Sequence, residues 1–388
     1  MAKYRIAYVS SSRADYGIVC NYLRLLKEDK EIDLDIIVTG SLLEKEYDEQ
    51  AKIITNDGFK IKKRIKLPMS SKSNKNIIKT MSVCLDSFGT FFDRNKYDLL
   101  ILLGDRFEIM PVAIAAAIHR QKIIHIHGGE ATFGNYDEFI RHSITKMSDY
   151  HFTSTNEYKN RIIQLGENPK NVYYLGSLGA ENCLHINDKK VEKFIKELKS
   201  KTYFVVLFHP ETMTSIDAKT QAKIVLESVD CFVNDFNFVF IGPNADTHSN
   251  IIKKDIKNYT KRKTNCLYIE NINTDSYHYL LKNCICLIGN SSSGIIEAPS
   301  LGIYTINIGD RQKGRISGNS VINVRWNKAK IVDAIKYTCK NNLINPKNPY
   351  LKKGNIAKNY YLATKRIIKN KQYKNNSPKE FYDISIRD

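Results

Sequence analysis

The sequence of 388 residues lacks several features that would settle its class at once. No window approaches the ~18 consecutive apolar residues that a bilayer-crossing helix requires. The opening stretch MAKYRIAYVSSSRADYG holds no apolar run followed by a small-residue cleavage site, so no signal peptide is expected. The eight cysteines, at 20, 84, 183, 231, 266, 284, 286 and 339, include one close pair, Cys284 and Cys286. A C-x-C inside an apolar run matches no zinc spacing. These absences lead to the expectation of a soluble, cytoplasmic chain with reduced thiols and no membrane contact. Also missing is any module that interleaves aromatic and basic residues for nucleic acid, although the formal charge is +19. The lysines are spread along the chain, with local clusters at 253–263 and 369–376. They read as a solvated surface that also attracts anionic substrates, and no nucleic-acid partner is expected.

The apolar content of 42%, with 10% aromatics, is enough to bury more than one core at this length. Apolar runs alternate with amphipathic stretches. YRIAYVS, LDIIVTG, YDLLILLGD and KIIHIHGG read as strands of a buried parallel sheet, separated by helical stretches such as IVCNYLRLLKED and IMPVAIAAAIHR. After about residue 180 the pattern restarts with TYFVVLFHP, FNFVFIGPN, NCLYIE, CICLIGN and IYTINIG. No sequence repeat links the halves. The expected fold class is α/β: two Rossmann-like doubly wound domains, residues 1–178 and 179–356, facing a central cleft. From about Asn355 the chain reads as a helix, followed by a polar tail at 372–388.

Polar clusters follow the C-terminal ends of the expected strands, the edge at which open α/β sheets bind ligands. Ser10-Ser11-Ser12-Arg13-Ala14-Asp15 is a loop of small residues opening a helix, suited to an anion or to ordinary capping. Gly104-Asp105-Arg106 carries an acid–base pair. His125-Ile126-His127-Gly128-Gly129-Glu130 precedes Asp137-Glu138 and Arg141-His142. His125 and His127 are expected on one strand face, but no third ligand has metal spacing, so no metal is expected. In the second half, His209-Pro210, then Asn244 and Asp246, then Asn290-Ser291-Ser292-Ser293-Gly294 with Glu297, and finally Arg311 follow strand ends. Three hydroxyls and a helix start suit a diphosphate, and Glu297 suits a ribose diol.

The series SSRADYG, GDRFE, HIHGGE, YDEFIRHSITKMSDYH, HPET, GPNAD, IGNSSSGIIE and INIGDRQKGR resembles the hydrolysing UDP-N-acetylglucosamine 2-epimerases of sialic-acid-type sugar biosynthesis. The motifs keep family order from about residue 5 to 325. The resemblance implies a fold like the two-domain GT-B glycosyltransferases, with a C-terminal helix (357–388, with its tail) crossing back to the first domain. It implies that Asp105, Asp137, His127 and Glu130 are catalytic. It implies that Arg13, Asp15, Arg106, His209, Asn244, Asp246, Asn290, Ser291, Ser292, Glu297 and Arg311 hold a UDP-sugar. Neither cofactor nor metal is required by the family's reaction, and a homo-oligomer, dimer or tetramer, is implied. Elimination of UDP gives a 2-acetamidoglycal, and water then adds to release N-acetylmannosamine.

Two positions depart from the pattern. Many relatives carry Glu where this chain has His127, and His where it has Leu42. The departures leave open lost activity, another proton-transfer arrangement or another sugar, such as UDP-2,4-diacetamido-2,4,6-trideoxyglucose; a neutral imidazole can act as a base near pH 7. A GT-B glycosyltransferase and a non-catalytic nucleotide-sugar binding protein are the other readings.

Overall fold

A computed structural model describes residues 3–44, 51–70, 73–133, 136–211, 214–243, 249–370 and 379–384. The chain divides into two compact units, one of Met1–Glu130, Tyr136–Leu178 and Lys352–Asp388, the other of Ala131–Asn135 and Gly179–Leu351.

The first unit is built on seven parallel strands: β1 (Tyr4–Ser10), β2 (Ile32–Val38), β3 (Ile61–Arg64), β4 (Leu99–Leu103), β5 (Ile123–Ile126), β6 (Tyr150–Thr153) and β7 (Val172–Tyr174). Their order is β3-β2-β1-β4-β5-β6-β7. Side chains alternate across a strand, and here both faces are covered. Ile6, Tyr8, Ile36, Val38, Leu99 and Ile101 pack in one core with the helices Arg13–Glu28 and Ile356–Lys369. Ala7, Val9, Ile37, Leu100 and Leu102 pack in another with the helices Asn74–Arg94, Ile109–Ile118 and Asp137–Met147. That double burial is why LLILL is apolar without alternation.

The second unit holds β8 (Tyr203–Leu207), β9 (Asn237–Ile241), β10 (Cys266–Ile269), β11 (Cys286–Gly289), β12 (Tyr304–Ile308) and β13 (Val321–Val324). The order β10-β9-β8-β11-β12-β13 repeats the pattern of the first sheet. Phe204, Val206, Phe238, Phe240, Cys286 and Ile288 face one core, and Tyr203, Val205, Val239, Ile241 and Leu287 the other. Both units are Rossmann-like. In each, strand order reverses beside the first strand, at β1/β4 and at β8/β11, which opens a crevice at the carboxyl ends of those strands.

Two boundaries differ from the sequence expectation. The chain re-enters the first unit at Lys352 rather than after residue 356, because the Lys352 ammonium donates to the Tyr174 carbonyl (2.7 Å) and lies 4.5 Å from the centre of the Tyr174 ring. Ala131–Asn135 belongs with the second unit, where the Phe133 amide donates to the Lys313 carbonyl (3.2 Å). The helix Ile356–Lys369 starts at the N-cap Asn355, whose side chain accepts from the Lys358 amide. Its Tyr360 meets Tyr22 and Phe152 edge-on at 5.6 and 5.2 Å and donates to the Gly176 carbonyl. Burying a ring of this size contributes on the order of 2 kcal/mol, which fixes the helix on the first unit.

Candidate active site

At the end of β1 the chain turns through three serines into the helix Arg13–Glu28. Ser12 is the N-cap and accepts from the Asp15 amide at 3.2 Å. The Asp15 carboxylate accepts from the Ser10 hydroxyl (2.7 Å), the Ser11 hydroxyl and amide (2.9 Å each) and the Ser12 amide (2.9 Å). Asp15 is buried, and burial raises its pKa despite these donors and the charge of Arg106. With its oxygens so occupied, Asp15 staples the loop. The sequence groups Asp15 with the substrate contacts, whereas here its carboxylate is bonded within the loop; the half-buried Arg13 is the first residue of the helix.

The β4 end carries Gly104, Asp105 and Arg106. The sequence pairs Asp105 with Arg106, but the structure separates them. Asp105 is ion-paired with Arg141, and the Arg106 Nε donates to Glu108 Oε1 at 2.6 Å. Arg141 is only 1% exposed, yet it also donates to Glu138 Oε2 (3.3 Å) and the Glu130 carbonyl (2.9 Å). It comes from the helix Asp137–Met147, whose first residue is Asp137. One buried guanidinium therefore ties the β4 loop carboxylate, the residue following the glycine pair and the helix that begins with the second candidate carboxylate.

His125 lies on β5 and is fully buried, but His127 follows the strand with φ 65°. The two imidazoles therefore do not share a strand face, which corrects the alternation expected from sequence. Burial drives the His125 pKa down to about 3. The ring is then neutral: its Nε2–H donates to the Gly104 carbonyl (2.8 Å) and its Nδ1 accepts from the Thr145 hydroxyl (3.0 Å). His125 thus splices the β4 loop to the same helix that supplies Arg141. Gly129 has φ 77°, and a Cβ there would overlap the Tyr158 carbonyl. The Glu130 Oε1 accepts from the Ser154 hydroxyl (3.0 Å) and lies 3.6 Å from His127 Nδ1. Glu130 is only 1% exposed and stands behind the His127 imidazole. Leu42 packs in the apolar core of this unit.

In the second unit, Asn290 closes the β8/β11 crevice. Its Oδ1 accepts from the His209 amide (2.7 Å), and its Nδ2 donates to the His209 carbonyl (3.0 Å). Its own carbonyl accepts from Arg311 (3.2 Å) and Gln312 (2.8 Å). Asn290 is fully buried, and its side-chain oxygen and nitrogen are both bonded to the His209 backbone. His209, Arg311 and the half-buried Ser291 and Ser292 are brought together around it. The helix expected after the serines is a four-residue turn, Ser293–Ile296, without a side-chain cap. A turn this short carries little of the macrodipole of a full helix. Glu297 Oε2 lies 3.0 Å from His278 Nε2. Asn244 and Asp246 lie outside the described residues. Among the described residues, no group of three or more His, Cys, Asp or Glu has metal-site geometry.

Each unit thus carries charged side chains at its own switch point. Residues 24–361 match the family model for UDP-N-acetylglucosamine 2-epimerase. The chain belongs to that family. It is 47% identical over 386 residues to polysialic acid biosynthesis protein P7 of Escherichia coli, covering 98% of this chain and 97% of that one. It is 34% identical over 331 residues, 84% and 86% of the two chains, to the hydrolyzing GDP/UDP-N,N'-diacetylbacillosamine 2-epimerase of Campylobacter jejuni. In fold it is similar to the UDP-GlcNAc 2-epimerase of Neisseria meningitidis bound to UDP-GlcNAc, with TM-score 0.77 at 18% identity over 94% and 100% of the chains.

Three residues of this epimerase escape a sequence reading. Arg141 stands out in the sequence only as a neighbour of Asp137, Glu138 and His142, while its partner Asp105 lies 36 residues upstream. Glu108, fully buried against Arg106, is hidden in the apolar run FEIMPVAIAAAI. Glu211 is raised in pKa by burial and accepts from the Trp326 indole, bracing the turn at Gly309 that leads to Arg311. The sequence signal for Arg141 is its place in the run YDEFIRHSITKMSDYH, beside Asp137 and Glu138.

Proposed function

We propose that this epimerase is of the hydrolysing type and converts UDP-N-acetylglucosamine to N-acetylmannosamine and UDP. The observation that carries the reading is the anchored pair at the first rim: Asp105 fixed by the buried Arg141, on the helix that begins at Asp137. In the first stage a carboxylate removes the C2 proton while the C1–O bond breaks with its electron pair leaving on UDP, giving the 2-acetamidoglycal. In the second, water adds at C1 and a proton is delivered to the opposite face of C2. Two carboxylates in different surroundings can divide those proton transfers. A carboxylate fixed and charge-paired as Asp105 is suits the acceptor role, leaving Asp137 and the His127–Glu130 pair for delivery. Arginines and hydroxyls at the second rim, above all Arg311, stabilise the charge that develops on the departing diphosphate.

The names of the relatives support both the hydrolysing reaction and a sialic-acid-type product. They also favour a second substrate, UDP-2,4-diacetamido-2,4,6-trideoxyglucose, because two relatives above 30% identity are N,N'-diacetylbacillosamine 2-epimerases. Proton NMR in D2O without acceptor or metal tests the proposal. N-acetylmannosamine deuterated at C2, with free UDP, is the expected result. Turnover of the trideoxy sugar alone would move the assignment to that substrate. UDP binding without turnover of either would leave a binding protein, and transfer only with an acceptor sugar a glycosyltransferase.

A further inference from the structure

Within the polar tail that the sequence leaves unassigned, residues 379–382 are docked on the first unit. The Lys379 ammonium donates to the carbonyls of Lys146 (2.8 Å) and Ser148 (2.6 Å) and approaches that of Thr145 (3.5 Å). Those carbonyls belong to the C-terminal end of the helix Asp137–Met147 and the residue after it. A helix leaves its last carbonyls without intrahelical donors and carries partial negative charge there. Lys379 supplies both the donors and the opposite charge, from 231 residues downstream of Ser148.

The dock has a buried acid at its centre. Glu167, 2% exposed, meets Lys379 at 2.7 Å, Lys146 at 2.7 Å and His151 of β6 at 3.0 Å. Burial opposes its charge, but His151, Lys146 and Lys379 outweigh that and hold its pKa below the usual range. Phe381 covers Gly166, where a Cβ would overlap its ring, and lies 4.8 Å beneath the Lys146 ammonium. The Tyr382 amide donates to the Gly166 carbonyl at 2.9 Å. Side chains and backbone of residues 379–382 therefore close on one helix end.

That helix is the one on which the candidate chemistry hangs. It starts at Asp137, carries Arg141, and is spliced to the β4 loop through Thr145 and His125. Thr145 is both the His125 partner and the owner of one of the carbonyls that Lys379 approaches. We propose that residues 379–382 are a strap that fixes the helix Asp137–Met147, and that Lys379 is a positioning residue which keeps Arg141 and Asp105 in register for turnover. Among the described residues the strap's bonds go to Thr145, Lys146, Ser148, Gly166 and Glu167, none of them a candidate substrate contact, so it acts on the chemical step and leaves nucleotide affinity alone. The kinetic half rests on the hydrolysing reaction proposed above.

The test uses the full chain with Lys379→Met, Lys379→Arg and Phe381→Ala. Hydrogen exchange across 137–147 is read with kcat, KM and the affinity for UDP. In Lys379→Met the helix amides exchange at least about tenfold faster than in the wild type, while the second unit is unchanged. Its kcat falls about 10²-fold, the cost of a small misplacement of reacting groups, with KM and the UDP Kd within about twofold. Lys379→Arg restores most of both, and Phe381→Ala shows the same pattern in weaker form. Unchanged exchange in Lys379→Met overturns the strap. Faster exchange with wild-type kcat overturns the positioning role and reduces the dock to a stabilising contact. A wild-type enzyme inert toward both sugars overturns the reaction and the kinetic half together, and exchange in the helix then still decides whether the strap holds it.

Discussion

At the scale of single residues, the proposed reaction divides the first rim into groups that would do chemistry and groups that would hold them. Asp105→Asn removes a charge while keeping the shape. The expected outcome is a kcat lower by about 10²- to 10⁴-fold, the usual worth of a general acid or base, with UDP affinity by calorimetry within about twofold. Comparable losses in both would assign Asp105 to holding the rim together. His127 and Glu130 divide differently. The imidazole follows β5 in a left-handed turn at φ 65°, and Glu130 backs it from a buried position with Ser154. His127→Ala is expected to reduce kcat by about 10²-fold or more. Glu130→Gln keeps the Ser154 hydrogen bond but loses the charge facing the ring, so its kcat falls less, and its pH–rate profile shifts. A His127→Ala enzyme with full activity would make the imidazole a bystander and move proton delivery to Asp137 alone.

At the scale of elements the loops after β1 and β11 show how a motif can be legible in place and misread in role. Ser-Ser-Ser-Arg-Ala-Asp runs from the last residue of β1 into the helix as its pattern predicts, and the Asp15 carboxylate closes the loop. Asp15→Ala is therefore expected to lower stability by about 1–2 kcal/mol, the range for a lost N-terminal cap, seen as an earlier denaturant midpoint of the first unit. Weakened UDP binding in that variant should follow from a loosened Arg13, and a compensating gain of affinity at high UDP should not appear. Full wild-type stability with lost UDP affinity would reinstate Asp15 as a contact.

The same reasoning explains which elements could be read from sequence. β4 is LLILL because both of its faces are buried, so a run of five apolar residues announces it. β3 is IKKR, three basic residues on an exposed edge, and β7 is three residues long; neither has a pattern to detect. His125 and His127 satisfy a period of two only while the strand continues, and the strand ends at Ile126. Arg141 pairs with Glu138 three residues away, but its partners Glu130 and above all Asp105 lie farther off in sequence than a helical window spans.

At the scale of the whole molecule the two units can be followed separately, because Trp326, the single tryptophan of the chain, lies in the second one. The first unit holds His125 and His151, whose pKa values burial lowers, that of His125 to about 3. An unfolded histidine takes up a proton near pH 6.5. Between that value and about 3 the unfolded chain therefore binds a proton that folded His125 refuses, so stability is full above about pH 6.5 and is lost as pH falls. The slope is about 1.4 kcal/mol per pH unit for one such group, and His151 steepens it. Glu167, held below its usual pKa by His151, Lys146 and Lys379 against the effect of burial, adds a further loss at the acid end as pH falls through its folded value. Denaturant unfolding at pH 7, 6 and 5 should accordingly move the far-UV dichroism transition to lower denaturant while the Trp326 fluorescence transition moves less. His125→Asn should flatten the dichroism shift over that range by about one proton's worth. An equal shift of both probes would mean that the two units unfold as one, and a wild-type slope retained in His125→Asn would show that His125 is protonated in the folded protein and that its contacts with Gly104 and Thr145 use both ring N–H groups.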